Sequence, residues 1–195
     1  MSHSCRLFTS ILLDVLRKNM SDKYKTEEGK LYYVTITVVG WIDVFTRKEY
    51  VYELIKNIQY CQQNKGLEIF AYVIMSNHIH MVAKAETGRL NILLGHFKSF
   101  TSKELIKQIE QNPQESRKEW LMHMFKFFGR GNSQNEEYQF WQNGNHPIEL
   151  WSSGMIQQKI NYLHNNPVKQ GIVAKPEDYL YSSANEFSEI KVLEL

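Results

Sequence analysis

The spacing of hydrophobic residues changes several times along this chain, from alternation to a helical period and back. The segment from Leu31 to Val39 is rich in aromatic and β-branched residues, which predicts a first strand. Residues 47 to 64 instead carry apolar side chains every three or four positions, which predicts an amphipathic helix that Gly66 ends. A strand followed by a helix is therefore expected at the start of the fold.

A hairpin and a second long helix are predicted next. Strands are expected from Leu67 to Met75 and from His78 to Ala85, with a tight turn at Ser76-Asn77 between them. A helix is expected from Arg89 to Gln111. Its end is placed there because a proline shortly afterwards disfavours continuation of the helix. The order β-α-β-β-α supplies five of the six elements of the ferredoxin-like split unit.

The last strand of this unit is predicted from Glu137 to Trp141, after an inserted helix from Glu115 to Phe128. A further helix is expected from Ser152, a suitable N-cap, to Asn165, and Pro167 is expected to end it. The predicted architecture is α+β, with a ferredoxin-like (RRM-like) antiparallel sheet in the order β-α-β-β-α-β and an added C-terminal helix.

Length and composition set the class of protein and leave its function open. The 195 residues suit one domain, which we place at residues 31–185, between an N-terminal extension at 1–30 and an acidic tail at 186–195. With 43% hydrophobic and 23% charged residues, the composition excludes a wholly disordered chain. No apolar run approaches the about 18 residues that span a bilayer. Two cysteines indicate reduced thiols, so we expect a cytoplasmic protein without membrane contact.

Charge is distributed unevenly, although the net charge is only +2. Residues 98–130 hold seven basic and four acidic residues, and residues 150–176 hold three lysines and no acid. The acidic residues near the C-terminus hide this basic surplus in the total. Solvated helix faces explain any one such run equally well, so charge alone does not identify a partner.

His78 and His80 form the first candidate constellation. Because side chains two residues apart on a strand point to the same face, the two imidazoles are expected side by side. Two such imidazoles can share one metal ion. The triplet alone is a weak signal, since histidines in strands also serve as packing residues.

Tyr162 and Asn166 form the second candidate constellation. They are four residues apart, which places them on one face of a helix, although Asn166 precedes a proline and is expected at the frayed end of that helix. Taken alone, a tyrosine in this position is as readily a packing residue with its hydroxyl at the surface.

These two stretches resemble a known family. Residues 72–82, YVIMSNHIHMV, resemble the His-hydrophobic-His strand of the single-tyrosine HUH transposases, which are insertion-sequence-200-like. Residues 160–173, INYLHNNPVKQGIV, resemble the tyrosine helix of the same family, especially of its REP-associated branch. The resemblance spans about residues 31–185. It departs at Ser76, where a proline is common, and we expect this to change the stiffness of the turn and not the ligands.

The resemblance implies a site and a reaction. His78 and His80 would hold a divalent ion, Mg²⁺ or Mn²⁺, and Asn166 would supply a third, oxygen ligand. Tyr162 would attack a phosphodiester of single-stranded DNA, form a 5′-phosphotyrosine link and release a 3′-hydroxyl, as a transposase does. The expected partner is single-stranded DNA, with a hairpin end. The candidate phosphate contacts are Lys98, Lys103, Arg130 and Lys169.

Other functions stay open at this point. The same sheet serves in RNA-binding domains, so a domesticated copy would bind hairpin DNA or RNA without cutting it. A metal-stabilised structural protein is a further alternative. The sequence leaves undecided the DNA sequence recognised, the metal, and whether residues 1–19 are native. It also leaves undecided whether the protein is a monomer or a homodimer, and whether the tyrosine acts on the metal site of its own chain.

Overall fold

An antiparallel sheet organises the fold in the computed structural model, which describes residues 25–130 and 137–195. The strands are β1 (Tyr32–Thr37), β2 (Leu67–Ile74), β3 (His78–Ala85) and β4 (Ile148–Glu149). They lie in the order β4-β1-β3-β2, and each neighbouring pair is antiparallel, as the predicted ferredoxin-like sheet requires. Most of the predicted N-terminal extension, residues 1–24, lies outside the described residues.

Helices form the connections where the sequence predicts them. They are α1 (Lys48–Lys65), α2 (Leu90–Gln111), α3 (Lys118–Gly129), α4 (Ser153–His164) and α5 (Asn166–Lys169), with short 3₁₀ turns at Val39–Trp41 and Pro176–Asp178. Gly66 ends α1 in the left-handed conformation, at φ 67°, which glycine adopts without steric cost. Ser152 caps α4, since its hydroxyl accepts a hydrogen bond from the backbone N–H of Met155. Neither described stretch contains a helix long and apolar enough to cross a membrane.

The predicted position of the last strand is wrong. β4 pairs with β1 at Ile148–Glu149, whereas Trp141 in the segment 137–141 forms a single isolated bridge with the residue that follows β1. The aromatic residues that suggested a strand there are anchors of the core. Phe140 and Trp141 are buried, and Nε1 of Trp141 donates to Oγ1 of Thr101 at 3.0 Å. Burial of aromatic rings, and not strand pairing, explains the strand-like composition of this segment.

Pro167 begins a helix rather than ending one. α4 stops at His164, Asn165 forms the junction, and α5 starts at Asn166 with Pro167 in its first turn. Proline is tolerated there because the first turn of a helix needs no N–H donor. Asn166 is consequently buried at the junction of two helices, where the sequence predicted the frayed end of one.

The two faces of the sheet are covered differently. One face packs Val34 and neighbouring strand residues against α1, α2 and α3 to form the main core. The other face holds a smaller cluster, in which Val82 of β3 and Leu163 of α4 lie together. Because side chains alternate along a strand, His78 and His80 share the face of Val82. The tyrosine helix α4 therefore covers the face on which both histidines lie.

The chain after α5 returns along the outer edge of β2. Backbone hydrogen bonds join the two segments, among them Leu193 N–H to Ile69 O at 2.8 Å. Ile190 is only 1% exposed and belongs to the main core. The segment 186–195, which the sequence predicted as a tail beyond the domain, is thus packed onto the domain as far as Leu193.

Candidate functional site

The imidazoles of His78 and His80 lie side by side on β3. Their ring centroids are 4.6 Å apart, and the two rings are inclined by 68°. Both side chains are buried, with residue exposures of 4% and 7%. The strand period thus places the two rings together on one face, as the sequence predicts.

Two neighbouring hydroxyl groups lie within hydrogen-bonding distance of one ring nitrogen of His80. Its Nδ1 lies 2.8 Å from the hydroxyl of Tyr33 and 2.9 Å from Oγ1 of Thr35, both on β1. The Tyr33 ring also stacks on the imidazole, with centroids 5.3 Å apart. Because Nδ1 is engaged, Nε2 is the nitrogen that remains for a further partner.

An amide in the hairpin turn forms a hydrogen bond with the corresponding nitrogen of His78. Nδ1 of His78 lies 2.6 Å from Oδ1 of Asn77, and Nδ2 of Asn77 donates to Oδ1 of Asp43 at 2.8 Å. Ser76 donates to the same Asp43 oxygen at 2.6 Å, so this carboxylate holds both residues of the turn. Because the Asn77 amide presents its oxygen, His78 donates from Nδ1 and presents the lone pair of its Nε2.

Burial keeps both imidazoles neutral at pH 7. Loss of solvation lowers the pKa of His78 to about 4. The same effect, with smaller contributions from His78 and from the ammonium of Lys159, lowers the pKa of His80 to about 3. A neutral imidazole is the form that binds a metal ion, so the pair is already in the protonation state that a cation requires.

Tyr162 faces these histidines from α4. Its ring centroid is 5.9 Å from that of His80 and 6.2 Å from that of Tyr33. The tyrosine is 43% exposed, so one side of the ring contacts the site while the rest is open to solvent. The predicted nucleophile and one of the predicted ligands thus meet within a single chain.

Asn166 is buried at the junction of α4 and α5, where its Oδ1 accepts one long hydrogen bond, 3.4 Å, from Gln170. Across residues 25–130 and 137–195, no three His, Cys, Asp or Glu side chains cluster as a metal site would require. A cation on His78 and His80 would therefore need an amide, hydroxyl or water oxygen as its next ligand. The amide of Asn166 is a donor of that kind, and oxygen donors suit Mg²⁺ and Mn²⁺.

A family model matches the part of the chain that contains β1 to β3 and both histidines. It is described as Transposase IS200 like, and it covers residues 30–145. The chain belongs to the IS200-like transposase family. The match ends before α4, so Tyr162 and Asn166 lie beyond it. Curated protein sequences give no match to this chain.

A solved structure of a REP-associated tyrosine transposase bound to a REP hairpin is similar to this family member. The TM-score is 0.53, and the alignment covers 81% of this chain and 78% of that one at 18% sequence identity. At this identity the likeness shows the fold alone. It confirms the predicted α+β architecture, an antiparallel sheet with helices.

The predicted phosphate contacts lie in different parts of this transposase fold. Nζ of Lys169 lies 4.8 Å from the Tyr162 ring centroid, so Lys169 borders the site. Lys103 and Arg130 are exposed on α2 and at the end of α3, which pack on the opposite face of the sheet. The ammonium of Lys98 donates to three oxygens within residues 142–145, at 2.6, 2.9 and 3.2 Å. Lys98 thus holds this loop, and its contact with phosphate stays a prediction.

Sequence reasoning missed several residues that complete the site. Nζ of Lys159 lies 4.8 Å from the Tyr33 ring centroid and 5.9 Å from that of Tyr162. Lys159 is three residues before Tyr162, and residues three apart on a helix share a face. This spacing would have identified Lys159 as a neighbour of Tyr162. Tyr33 and Thr35 follow the strand period of β1, but only the register with β3 reveals their partner. Asp43 lies in a loop, and no local pattern indicates its contact with Asn77.

Proposed function

We propose that this protein is a transposase that cuts and joins single-stranded DNA through a covalent 5′-phosphotyrosine intermediate on Tyr162. One observation carries the proposal: in a member of the IS200-like transposase family, an accessible tyrosine lies 5.9 Å, ring to ring, from His80, one of two adjacent buried histidines. A packing tyrosine would not need two neutral imidazoles whose Nε2 atoms have no hydrogen bond within residues 25–130 and 137–195.

His78, His80 and Asn166 are the residues that would hold a divalent ion, Mg²⁺ or Mn²⁺. Both imidazoles are neutral, and each has its Nδ1 engaged by a neighbour. Among the residues that the structure describes, the Asn166 oxygen accepts a single long hydrogen bond. When bound, such an ion polarises the scissile phosphate and offsets the charge that develops on it.

The proposed reaction exchanges one phosphodiester bond for another. The phenolic oxygen of Tyr162 forms a bond to phosphorus, and the bond from phosphorus to the 3′-oxygen breaks. The phenol loses its proton, and the departing 3′-oxygen gains one. Because a diester is present before and after the step, the 3′-hydroxyl of another strand reverses it without ATP. The exposed side of Tyr162 gives the strand access to this oxygen.

The proposed partner is single-stranded DNA next to a hairpin. The similar solved transposase is bound to a REP hairpin, and Lys169, Lys103 and Arg130 supply exposed positive charge on this chain. We also propose that Tyr162 acts on the histidine pair of its own chain, because it lies beside His80 without a second copy. A homodimer is not required to bring these groups together.

A covalent trapping experiment tests the function. The purified protein is incubated with Mn²⁺ and a library of foldback oligonucleotides whose single-stranded flanks are randomised. We expect a protein–DNA adduct that survives denaturing electrophoresis, maps to Tyr162 by mass spectrometry and is absent from Tyr162→Phe. A folded protein that shifts the hairpins in a native gel but forms no adduct would instead be a non-cleaving binding module. An adduct on another residue would also overturn the proposal.

A further inference from the structure

Two lysine ammonium groups lie close to the ring of Tyr162. Lys159 is one helical turn earlier on α4, with Nζ 5.9 Å from the ring centroid. Lys169 lies at the end of α5, with Nζ 4.8 Å from the same centroid. The turn of chain at Asn165, between α4 and α5, is what brings the second lysine back to the tyrosine.

Neither lysine is neutralised by a nearby acid. Among the described residues, no carboxylate forms an ion pair with Lys159 or Lys169. The sequence from residue 150 to residue 176 contains no Asp or Glu at all. Two uncompensated cations beside one phenol form an attractive position for an anion.

Lys159 also lies close to the ring of Tyr33 on β1. Its Nζ lies 4.8 Å from the Tyr33 ring centroid, and the side chain is half-buried. Tyr33 in turn stacks on His80, so this ammonium lies over two aromatic rings, Tyr33 and Tyr162, that both contact His80. Lys169 is exposed, and its ammonium lies over the Tyr162 ring.

We propose that Lys159 and Lys169 together bind the phosphodiester that Tyr162 attacks, with Lys159 as a further catalytic residue. The inference rests on the proposed function of Tyr162. As the bond from the phenolic oxygen to phosphorus forms and the bond to the 3′-oxygen breaks, negative charge grows on the phosphoryl oxygens. Fixed ammonium groups at that place stabilise this charge, and neither lysine has to give up a proton.

Charge-removing variants separate binding from catalysis. Lys159→Gln and Lys169→Gln are compared with Lys159→Arg, which keeps the charge. Lys107→Gln is the matched control, since Lys107 is exposed on α2, on the other side of the sheet. Fluorescence anisotropy with a cleavable foldback oligonucleotide gives the dissociation constant and its salt dependence in the Tyr162→Phe background. Single-turnover adduct formation at saturating DNA gives the rate in the Tyr162 protein.

We expect Lys159→Gln to lower the single-turnover rate about 100-fold, the usual scale for one lost transition-state donor, and Lys159→Arg to restore much of it. Each glutamine variant should reduce the slope of log affinity against log salt by about 0.7, the contribution of one single-strand phosphate contact. A Lys159→Gln rate within about twofold of the parent would overturn the catalytic role, and an unchanged slope would overturn the phosphate contact.

Failure of the proposed function gives a different result. If no adduct forms with Tyr162 intact, the tyrosine chemistry and the catalytic role of Lys159 are both overturned, while the salt dependence still reports whether the two lysines contact phosphate. If the adduct forms normally and only the lysine variants lack an effect, the inference about the lysines fails and the function of Tyr162 stands.

Discussion

Oδ1 of Asn77 accepts a 2.6 Å hydrogen bond from Nδ1 of His78. The amide is held in this orientation because its Nδ2 donates to Oδ1 of Asp43 and to the backbone oxygen of Trp41. A reversed amide would place an oxygen against the Asp43 carboxylate, which is unfavourable. The turn therefore selects the tautomer of His78 and leaves its Nε2 unprotonated.

Replacing Asn77 by alanine should remove this selection and leave the imidazole itself in place. We expect Asn77→Ala to bind Mn²⁺ about 10- to 100-fold more weakly, the usual effect of losing a group that orients a ligating histidine. Titration calorimetry with Mn²⁺ alone measures the change, with His78→Ala as the variant that lacks the ligand. Asn64→Ala is the matched control, because Asn64 is an exposed amide on α1. Unchanged affinity in Asn77→Ala would contradict the role of the turn.

The two hydroxyl groups beside Nδ1 of His80 should substitute for one another. Tyr33→Phe keeps the stacked ring and leaves the Thr35 hydroxyl at 2.9 Å, and Thr35→Val leaves the Tyr33 hydroxyl at 2.8 Å. We therefore expect each single change to weaken Mn²⁺ binding less than tenfold and the double change to weaken it about 10- to 100-fold. A double-mutant cycle measures the coupling, with Tyr32→Phe on the opposite face as control. Strictly additive losses would argue against a shared function.

Lys98 should make the free energy of unfolding depend on pH. Burial lowers the pKa of its ammonium from 10.5 to about 8 in the folded protein. Between these two pH values the unfolded chain binds more protons than the folded one, so stability from this group rises as the pH increases from about 8 to 10.5. Urea denaturation across this window should show a rise in the parent protein that Lys98→Met lacks. A parallel pH dependence in both proteins would contradict the prediction.

The segment after residue 185 should contribute to the stability of the whole domain. Ile190 is fully enclosed by the main core, so Ile190→Ala leaves a cavity and should lower the free energy of unfolding by about 2 to 5 kcal/mol. Leu193→Ala is the control, because Leu193 is 49% exposed. Denaturant titration compares the two variants. Similar, small losses would show that the segment does not pack in solution as it does here.

The period of the sequence predicts the parts of the fold that local contacts determine. β1 to β3 are apolar runs buried on both faces of the sheet, whereas α1 and α2 each bury one face, and the bounds of all five lie close to the predicted ones. β4 was missed because its two residues, Ile148 and Glu149, are a strand only through pairing with β1. Phe140 and Trp141 misled the prediction, since their burial under α2 and α3 does not depend on strand geometry.

In the candidate site, too, local sequence pattern predicts some residues, and others depend on tertiary contacts. His78 and His80 lie together because residues two apart on a strand share a face, and this spacing can be read directly from the sequence. The approach of Tyr162 to His80 depends on how α4 packs across the sheet, and only the family resemblance anticipated it. Asp43 and Tyr33 act through contacts between segments distant in sequence, so no spacing rule finds them.

The course of the C-terminal segment also determines which edges of the sheet are open. A bare edge strand offers a row of free N–H and C=O groups to which any other extended chain can add. Along β2 the protein fills these positions itself, with bonds from Ile74 N–H to Tyr181 O, from Ser183 N–H to Tyr72 O and from Leu193 N–H to Ile69 O. At the opposite edge β4 is only two residues long. Any association that joined two copies through β2 would first have to displace this segment, which protects the sheet from strand addition and aggregation.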